Sequence, residues 1–244
     1  MSALVAVRVA DTPETVVTGR QGDSDLAVIN QIFGARVYDP TALRRWPDLQ
    51  ATLGDMRARG RRPLVIDAGA NIGASALFFA DFYADAHVIA VEPEPGNFQL
   101  LAHNASQRPG IACVHGALAS RRGRFAVFDP QAGAVGFRAA ELGGAAPGAS
   151  VPTGTVVDSF AVADLLAMAP ADAEPFLIKI DIEGGEGDVF SRNIAWIDLF
   201  PVLLVELHDW MLPGAANSRN FLCAIAASGR DFVPVGENIY SIRN

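Results

Sequence analysis

Four apolar runs of the chain each end in charged side chains that could bind a small molecule or transfer a proton. The first run reaches Asp67 and leads into the turn at residues 69–73, "GANIG", and the second ends at Glu92. The other two end in the motifs "KIDIEGGE" at residues 179–186 and "VELHD" at residues 205–209. Because an unpaired charge is costly to bury, charged groups that follow buried strands require partners or a ligand. These four motifs are therefore the candidates for a functional site.

The turn at residues 69–73 suits a ligand that carries positive charge and no phosphate. A glycine-rich turn between a strand and a helix directs backbone N–H groups and the helix dipole toward a ligand. The dinucleotide-binding version, G-x-G-x-x-G, needs its second glycine for close approach of a pyrophosphate, and Asn71 occupies that place here. Asn tolerates left-handed backbone angles, so the turn itself is retained. Asp67, at the strand end, would repel a phosphate and attract a cation.

S-adenosylmethionine matches these features, since it has an ammonium and a sulfonium group and no phosphate. Asp67 is predicted to serve its amino group, directly or through water. Backbone N–H groups of the turn are predicted to meet its carboxylate. The residues assigned to this part of the donor site are Gly69, Ala70, Asn71 and Gly73.

Glu92 ends the next apolar run, where a carboxylate can accept hydrogen bonds from both hydroxyls of a ribose. Pro93, which follows it, and the backbone of Gly116 and Ala117 after the third run are assigned to the same donor site. Nicotinamide enzymes also use an acidic residue in this way, so a nicotinamide-dependent oxidoreductase remains an alternative, although the missing second glycine argues against it. A catalytically silent interaction module is the alternative outside enzymology.

Asp181, Glu206 and His208 are the candidate catalytic residues. Asp181 is placed beside the amino group of the donor or the hydroxyl of an acceptor, while Glu206 and His208 share one face of a strand end. Methyl transfer from a sulfonium is an in-line displacement that needs alignment, and an alcohol acceptor must also lose its proton. His208 is the best candidate for the general base, and Trp210 and Met211 are candidate walls of the acceptor pocket.

The same three residues, together with Asp209, could gather a divalent cation through hard oxygen ligands. Their spacing is not a metal signature, so no metal is assigned. For Lys179 and Glu183, the sequence leaves two roles open: an ion pair that orders the strand end, or a direct part in the reaction.

Alternation of short apolar runs with helix-like segments begins near Pro63. The runs are continuous, as expected for strands buried on both faces. They cover residues 63–67, 87–92, 111–115, 176–181 and 202–207. This order predicts an α/β fold with a Rossmann-like, doubly wound and mostly parallel sheet, whose strands bring the four motifs to one edge. A hairpin near the C-terminus completes the pattern, and Pro234 places its first strand toward a sheet edge.

Residues 1–60 are predicted to form an N-terminal helical appendage, and residues 61–244 the catalytic domain. Within the appendage, Ser24 caps a short amphipathic helix that ends at Gly34, and a second helix after Thr41 is interrupted near Pro47.

Two segments depart from the alternation of runs and helices. Residues 123–129, "GRFAVFD", predict an extra strand. Residues 130–154 are rich in Gly, Ala and Pro, and the sequence leaves open whether they form a floppy surface loop or a lid over the site.

Composition limits the class of protein. The 244 residues, half of them hydrophobic, suffice for one large domain or a domain with a small cap. A net charge of −8 disfavours binding to nucleic acid, and no apolar run is long enough to cross a membrane. Cys113 and Cys223 lie in apolar runs and are expected to be buried thiols. We expect a cytoplasmic protein.

Four stretches, taken in order, resemble the FkbM family of S-adenosylmethionine-dependent methyltransferases: "VIDAGANIGASALFFA", "VIAVEPEPGNFQLL", "LIKIDIEGGEGDVF" and "LLVELH". The segment "TVVDSFAVADLL" resembles the part of that family before the fourth core strand, so the resemblance covers residues 60–244. It implies methyl transfer to oxygen, often on a sugar or a secondary metabolite, and a seven-stranded sheet with an antiparallel last strand. The expected partner is a small-molecule hydroxyl acceptor, and a homodimer is left open.

Overall fold

The computed structural model describes residues 3–12, 14–131, 135–144, 148 and 150–244. Its N-terminal part begins with an antiparallel hairpin of strands β1 (Leu4–Arg8) and β2 (Val16–Arg20). The sequence predicted helices alone for this part, so the hairpin corrects the description of the appendage as helical. Burial alternates along β2, as expected for a strand that covers a core with one face.

Two helices follow, close to their predicted positions. Helix α1 (Asp25–Ile29) continues into a π-helical turn at Asn30–Gly34, and a 3₁₀ turn at Pro40–Ala42 precedes α2 (Trp46–Ala58). Ser24 takes the N-cap position, but within the described residues its side chain makes no capping hydrogen bond. The predicted interruption at Pro47 is wrong, because this proline lies in the first turn of α2, where no intrahelical N–H bond is lost.

The remaining strands, in chain order, are β3 (Arg62–Ala68), β4 (His87–Glu92), β5 (Ile111–His115), β6 (Ala117–Leu118), β7 (Gly123–Asp129), β8 (Arg138–Glu141), β9 (Val151–Phe160), β10 (Ala173–Ile180), β11 (Val202–Glu206), β12 (Asp231–Val235) and β13 (Asn238–Ile242). The remaining α-helices are α3 (Ala74–Phe82), α4 (Pro95–Ala105), α5 (Val162–Met168), α6 (Glu186–Val189) and α7 (Arg219–Ser228). Short 3₁₀ turns occupy Ile194–Leu199 and Asp209–Met211.

The central sheet has seven strands in the order β12-β13-β11-β10-β3-β4-β5. Neighbouring strands from β11 to β5 are parallel, and β13 is antiparallel to both β11 and β12. This arrangement confirms the α/β fold class, the doubly wound sheet and the antiparallel last strand. It also confirms the edge position that Pro234 indicated, because β12 ends the sheet.

The inner strands of the central sheet are buried on both faces, which explains their continuous apolar runs. Along β3, Val65 joins one hydrophobic cluster, whereas Leu64 and Ile66 join the cluster on the other face. The first cluster also contains Val17 of the hairpin and Leu53 of α2. The N-terminal part therefore packs directly on one face of the sheet.

A second sheet, in the order β6-β9-β7-β8, confirms the extra strand predicted at residues 123–129. Strand β8 and the start of β9 lie within residues 130–154, so the described part of this segment contains two pieces of strand. Residues 132–134, 145–147 and 149 of the predicted loop or lid lie outside the described residues.

Two expectations from composition can be compared with the described residues. Cys113 is half-buried, whereas Cys223 is exposed, so the prediction of a buried thiol is wrong for Cys223. This cysteine lies on the solvent-facing side of α7, whose buried side carries Phe221 and Ile225. Among the described helices, none has the length and apolar character that a membrane crossing requires.

Candidate active site

The turn after β3 has the left-handed backbone that its sequence predicted. Gly69, Asn71 and Gly73 have φ angles of 78°, 50° and 88°. The Asn71 side chain accepts a hydrogen bond from the N–H of Ile72 at 2.6 Å, which stabilises the bend. A Cβ atom on Gly69 would lie 1.7 Å from the carbonyl oxygen of Asp181, so only glycine allows the ends of β3 and β10 to approach so closely.

Glu92, at the end of β4, is connected to this turn. Its buried carboxylate accepts hydrogen bonds from the N–H of Asn71 and the N–H of Glu94, each at 2.9 Å. Burial raises the pKa of Glu92 to about 7, although the two backbone hydrogen bonds oppose this effect. Glu92 therefore both supports the turn and presents a carboxylate at the sheet edge.

Asp67 and Lys179 form a buried ion pair behind the turn. The Lys179 Nζ lies 3.1 Å from Asp67 Oδ1 and donates to the carbonyl of Gly69 at 2.9 Å, while the Ser75 hydroxyl donates to Asp67 Oδ2 at 2.6 Å. Burial disfavours the charge of Lys179, but the nearby carboxylates of Asp67 and Asp181 keep its pKa well above the ordinary value. The carboxylate of Asp67 is thus neutralised within the protein.

A cavity lies at the carboxyl edge of the sheet, where the chain order reverses between β3 and β10. Open α/β sheets bind ligands at such a switch point. The predicted donor residues that line it are Gly69, Ala70, Asn71, Glu92, Pro93, Gly116, Ala117 and Asp181. Asp67 and Gly73 are not part of the lining. Gly73 instead allows α3 to pack on α4, because a Cβ there would lie 2.8 Å from Leu101 Cδ1.

The N-terminal part and the segment 130–154, which the sequence associated with the acceptor pocket without fixing their roles, also line this first cavity. The N-terminal part contributes Gln31, Ile32 and Tyr38, and the segment at β8 contributes Phe137, directly before the strand, and Ala139 within it. The amphipathic pattern of residues 24–34 did not indicate that this helix lines a cavity, because Ile32 also packs in the hydrophobic core and an apolar residue there is explained by the core alone. Of the two interpretations of residues 130–154, this placement supports a cover over the site.

A second cavity adjoins the first. The two share four lining residues, Val135, Gly136, Glu183 and Glu206. Further lining residues of the second cavity are Pro130, Arg138, His208, Trp210 and Met211. Trp210 and Met211 therefore line a pocket at the carboxyl edge of the sheet, and their role as walls of an acceptor pocket stays a prediction.

His208 lies at the centre of a group of carboxylates. Its ring is buried, and Nδ1 lies 2.8 Å from an oxygen of Glu186. Its Nε2 lies 3.6 Å from one carboxylate oxygen each of Asp181, Glu183 and Glu206. The structure thus brings together the three predicted catalytic residues and adds Glu183, which the sequence left undecided, and Glu186, which it missed.

Asp209 is separate from this group, although it follows His208 directly. Both of its carboxylate oxygens accept from the N–H of Ser218, at 3.2 and 3.3 Å. The signal that could have indicated Glu186 was its place at the end of "KIDIEGGE", but nothing in the sequence paired it with a histidine 22 residues later.

Close approach of these groups shifts their pKa values. Burial and the charge of Asp181 raise the pKa of Glu183 and of Glu206 to about 7 each. Burial disfavours the charged ring of His208, but the hydrogen bond and charge of Glu186, with Asp181 and Glu183, raise its pKa to about 9. In the protein alone, the ring is therefore protonated at neutral pH.

The family model described as "Methyltransferase FkbM domain" matches residues 67–225. This range contains the turn, Glu92 and the group around His208. The chain belongs to the FkbM methyltransferase family. S-adenosylmethionine is accordingly the methyl donor of this FkbM methyltransferase, and the resemblance of the four motifs is confirmed. No curated protein matches the chain.

Several solved structures are similar to this FkbM methyltransferase. A provisionally named caffeoyl-CoA O-methyltransferase from Staphylococcus aureus has 12% identity over 89% of this chain and 91% of its own, with a TM-score of 0.44. A methyltransferase from Geobacter sulfurreducens has 14% identity over 93% of both chains and a TM-score of 0.39. A precorrin-6y C5,15-methyltransferase from Geobacter metallireducens has 10% identity over 84% and 92%, with a TM-score of 0.40. Similarity of this degree carries no information on the acceptor.

Proposed function

We propose that this FkbM methyltransferase methylates a hydroxyl oxygen of a small acceptor, such as a sugar or a secondary metabolite. The donor, bound in the first cavity, supplies an electrophilic methyl group on its sulfonium. The observation that supports the proposal is the junction of the two cavities at Glu183 and Glu206. An acceptor in the second cavity would meet the donor beside carboxylates that can accept a hydroxyl proton.

The first cavity suits the donor in its charge and its free hydrogen-bonding capacity. Each Glu92 oxygen accepts one backbone hydrogen bond, and the Asn97 side chain donates a third. Because a carboxylate can accept about four hydrogen bonds, capacity for a ribose hydroxyl remains. We assign the turn at residues 69–71 to the methionyl end, with Pro93, Gly116 and Ala117 opposite. The direct role predicted for Asp67 becomes an indirect one, because Lys179 neutralises it and positions the turn.

We assign the removal of the hydroxyl proton to Glu183. It lines both cavities, and its φ of 57° is uncommon for a residue with a side chain, as is often found where a functional group must be held in place. Both ring nitrogens of His208, the base predicted from the sequence, face carboxylates, so we propose that His208 positions them. Asp181 and Glu206 complete the proposed catalytic group around the acceptor hydroxyl.

The reaction class can be tested with methyl-labelled S-adenosylmethionine and a panel of sugar, polyketide and peptide hydroxyl acceptors. The expected product is a methyl ether. Label on nitrogen or carbon would overturn O-methylation. In parallel calorimetry, S-adenosylhomocysteine should bind and NAD and NADP should not.

The assignment of Glu183 can be tested by Glu183→Gln, which keeps the shape of the side chain and removes the base. Turnover should fall by about 10²–10⁴-fold with the dissociation constant of S-adenosylhomocysteine nearly unchanged. Glu141→Gln, at an exposed carboxylate of the second sheet, is the matched control and should retain turnover. Unchanged turnover in Glu183→Gln would move the proton acceptor to another member of the group.

A further inference from the structure

Three ligand-bearing side chains converge where the two cavities meet. One imidazole nitrogen of His208 and one carboxylate oxygen each of Asp181 and Glu206 lie within 4.8 Å of one another. Asp181 follows β10, Glu206 ends β11, and His208 lies two residues further along. These neighbouring parallel strands hold the three groups at one edge of the sheet.

His208 Nε2 has the surroundings of a ligand atom rather than those of a hydrogen-bonded ring nitrogen. The side chain is 2% exposed, and among the described residues the nearest acceptors lie at 3.6 Å, beyond hydrogen-bonding distance. If Nε2 and a carboxylate oxygen 3.6 Å away were each about 2.2 Å from one cation, they would subtend an angle of about 110° at it. That angle is close to the tetrahedral value and within reach of a distorted octahedron.

Glu186 independently fixes the direction in which Nε2 points. Its Oε1 lies 2.8 Å from Nδ1 of His208, and its Oε2 accepts from the side chain of Asn217 at 2.6 Å. Metal-binding histidines usually donate the N–H of the second ring nitrogen to a carboxylate in this way, which sets the tautomer and the ring orientation. Glu186 is itself fully buried, so the arrangement is rigid.

The charge balance of the group also favours a bound cation. Asp181, Glu183, Glu186 and Glu206 lie around His208. The Lys179 Nζ lies 3.1 Å from Asp67 and 3.5 Å from Asp181, so its charge is shared between these two carboxylates. Even when a protonated His208 ring, Lys179 and the Arg138 that acts on Glu183 are all counted, the four carboxylates outnumber these three cationic side chains.

We propose that Asp181, Glu206 and His208 bind one divalent metal cation, through one carboxylate oxygen each and through Nε2. The cation replaces the proton on Nε2, and Nδ1–H donates to Glu186. Carboxylate ligands suit Mn²⁺ and imidazole binds several other first-row metals, so the set is compatible with more than one cation, and Mn²⁺ serves as the probe below. Glu183 lies outside the ligand set and stays available as the proton acceptor.

The location of the cation gives it a role that rests on the proposed O-methylation. At the junction of the cavities, the cation would bind the acceptor oxygen and lower the pKa of its hydroxyl, as a Lewis acid does. The proton passes to Glu183, and the oxygen then forms the new bond to the methyl carbon as the carbon–sulfur bond of the donor breaks. The donor leaves as neutral S-adenosylhomocysteine.

The metal site is tested without catalysis by titrating EDTA-treated, full-length protein with Mn²⁺ and following free Mn²⁺ by electron paramagnetic resonance. We expect saturable binding of one Mn²⁺ per chain. Asp181→Asn and Glu206→Gln should weaken it by roughly tenfold or more, and Glu186→Gln by about 10–100-fold. Asp209→Asn is the matched control, since its amide oxygen can still accept from Ser218, and it should bind as the wild type does. Thermal unfolding without metal verifies that each variant is folded.

Wild-type protein without saturable Mn²⁺ binding would overturn the metal site, and so would unchanged binding in both ligand variants. The result for the metal site can be distinguished from the result for the proposed O-methylation. Methyl ether formation that persists in metal-free protein would remove the cation and leave O-methylation standing. Specific Mn²⁺ binding together with methylation at nitrogen would retain the site and remove O-methylation.

Discussion

Replacement of Gly69 by alanine should destabilise the protein through one close contact between two strand ends. The left-handed backbone at this position costs an alanine about 1–2 kcal/mol. The added Cβ would also lie 1.7 Å from the carbonyl oxygen of Asp181, so the ends of β3 and β10 would have to separate. Such overpacking typically costs about 1–3 kcal/mol more. The total expected loss is therefore about 2–5 kcal/mol.

Gly60→Ala is the matched control, because it isolates the backbone contribution. Gly60 has a φ of 69°, close to the 78° of Gly69, but a Cβ there would meet no atom within 4 Å. Urea unfolding, monitored by circular dichroism, measures the free energy of unfolding of both variants. The two values can be compared if the slope of that free energy against urea concentration is the same in both. The Gly69 variant should lose about 1–3 kcal/mol more than the Gly60 variant.

Donor binding supplies a second readout for the same substitution. Separation of the two strand ends displaces both the turn and Asp181, so Gly69→Ala should weaken the binding of S-adenosylhomocysteine in calorimetry, whereas Gly60→Ala should not. Equal loss of stability in the two variants would refute the reasoning, because it would mean that the strand ends can part without cost.

Two further predictions concern buried charges. Because Glu92 has a pKa of about 7, its carboxylate is ionised mainly above that pH, so S-adenosylhomocysteine should bind up to about tenfold more tightly at about pH 8 than at about pH 6. In Glu92→Gln this pH dependence should disappear, and its persistence would assign it to another group. Lys179→Met leaves Asp67 unpaired and should cost about 3–5 kcal/mol in urea unfolding. Adding Asp67→Asn should restore much of that loss, and stability equal to wild type in Lys179→Met alone would contradict the buried pair.

The fold of the central sheet was predictable because four of its strands, β3, β4, β10 and β11, are largely buried on both faces. Each of these strands reads as an unbroken apolar run, and the order of runs and helices leaves few ways to build a parallel sheet. The hairpin at residues 4–20 was not predictable in this way. Its strands are short and half-exposed, and they become a structural element only by packing Val17 on the core that the sheet and α2 share.

The sequence by itself determined which residues stand at the ends of the strands, because local apolar patterns set where a strand stops. Asp181, Glu206 and His208 could therefore be expected at one edge of the sheet. Only the tertiary structure decided their partners. Glu186 reaches His208 because a turn folds back after β10, and the second sheet covers the site through contacts between segments far apart in the chain. Such contacts depend on packing geometry, which no local pattern of residues records.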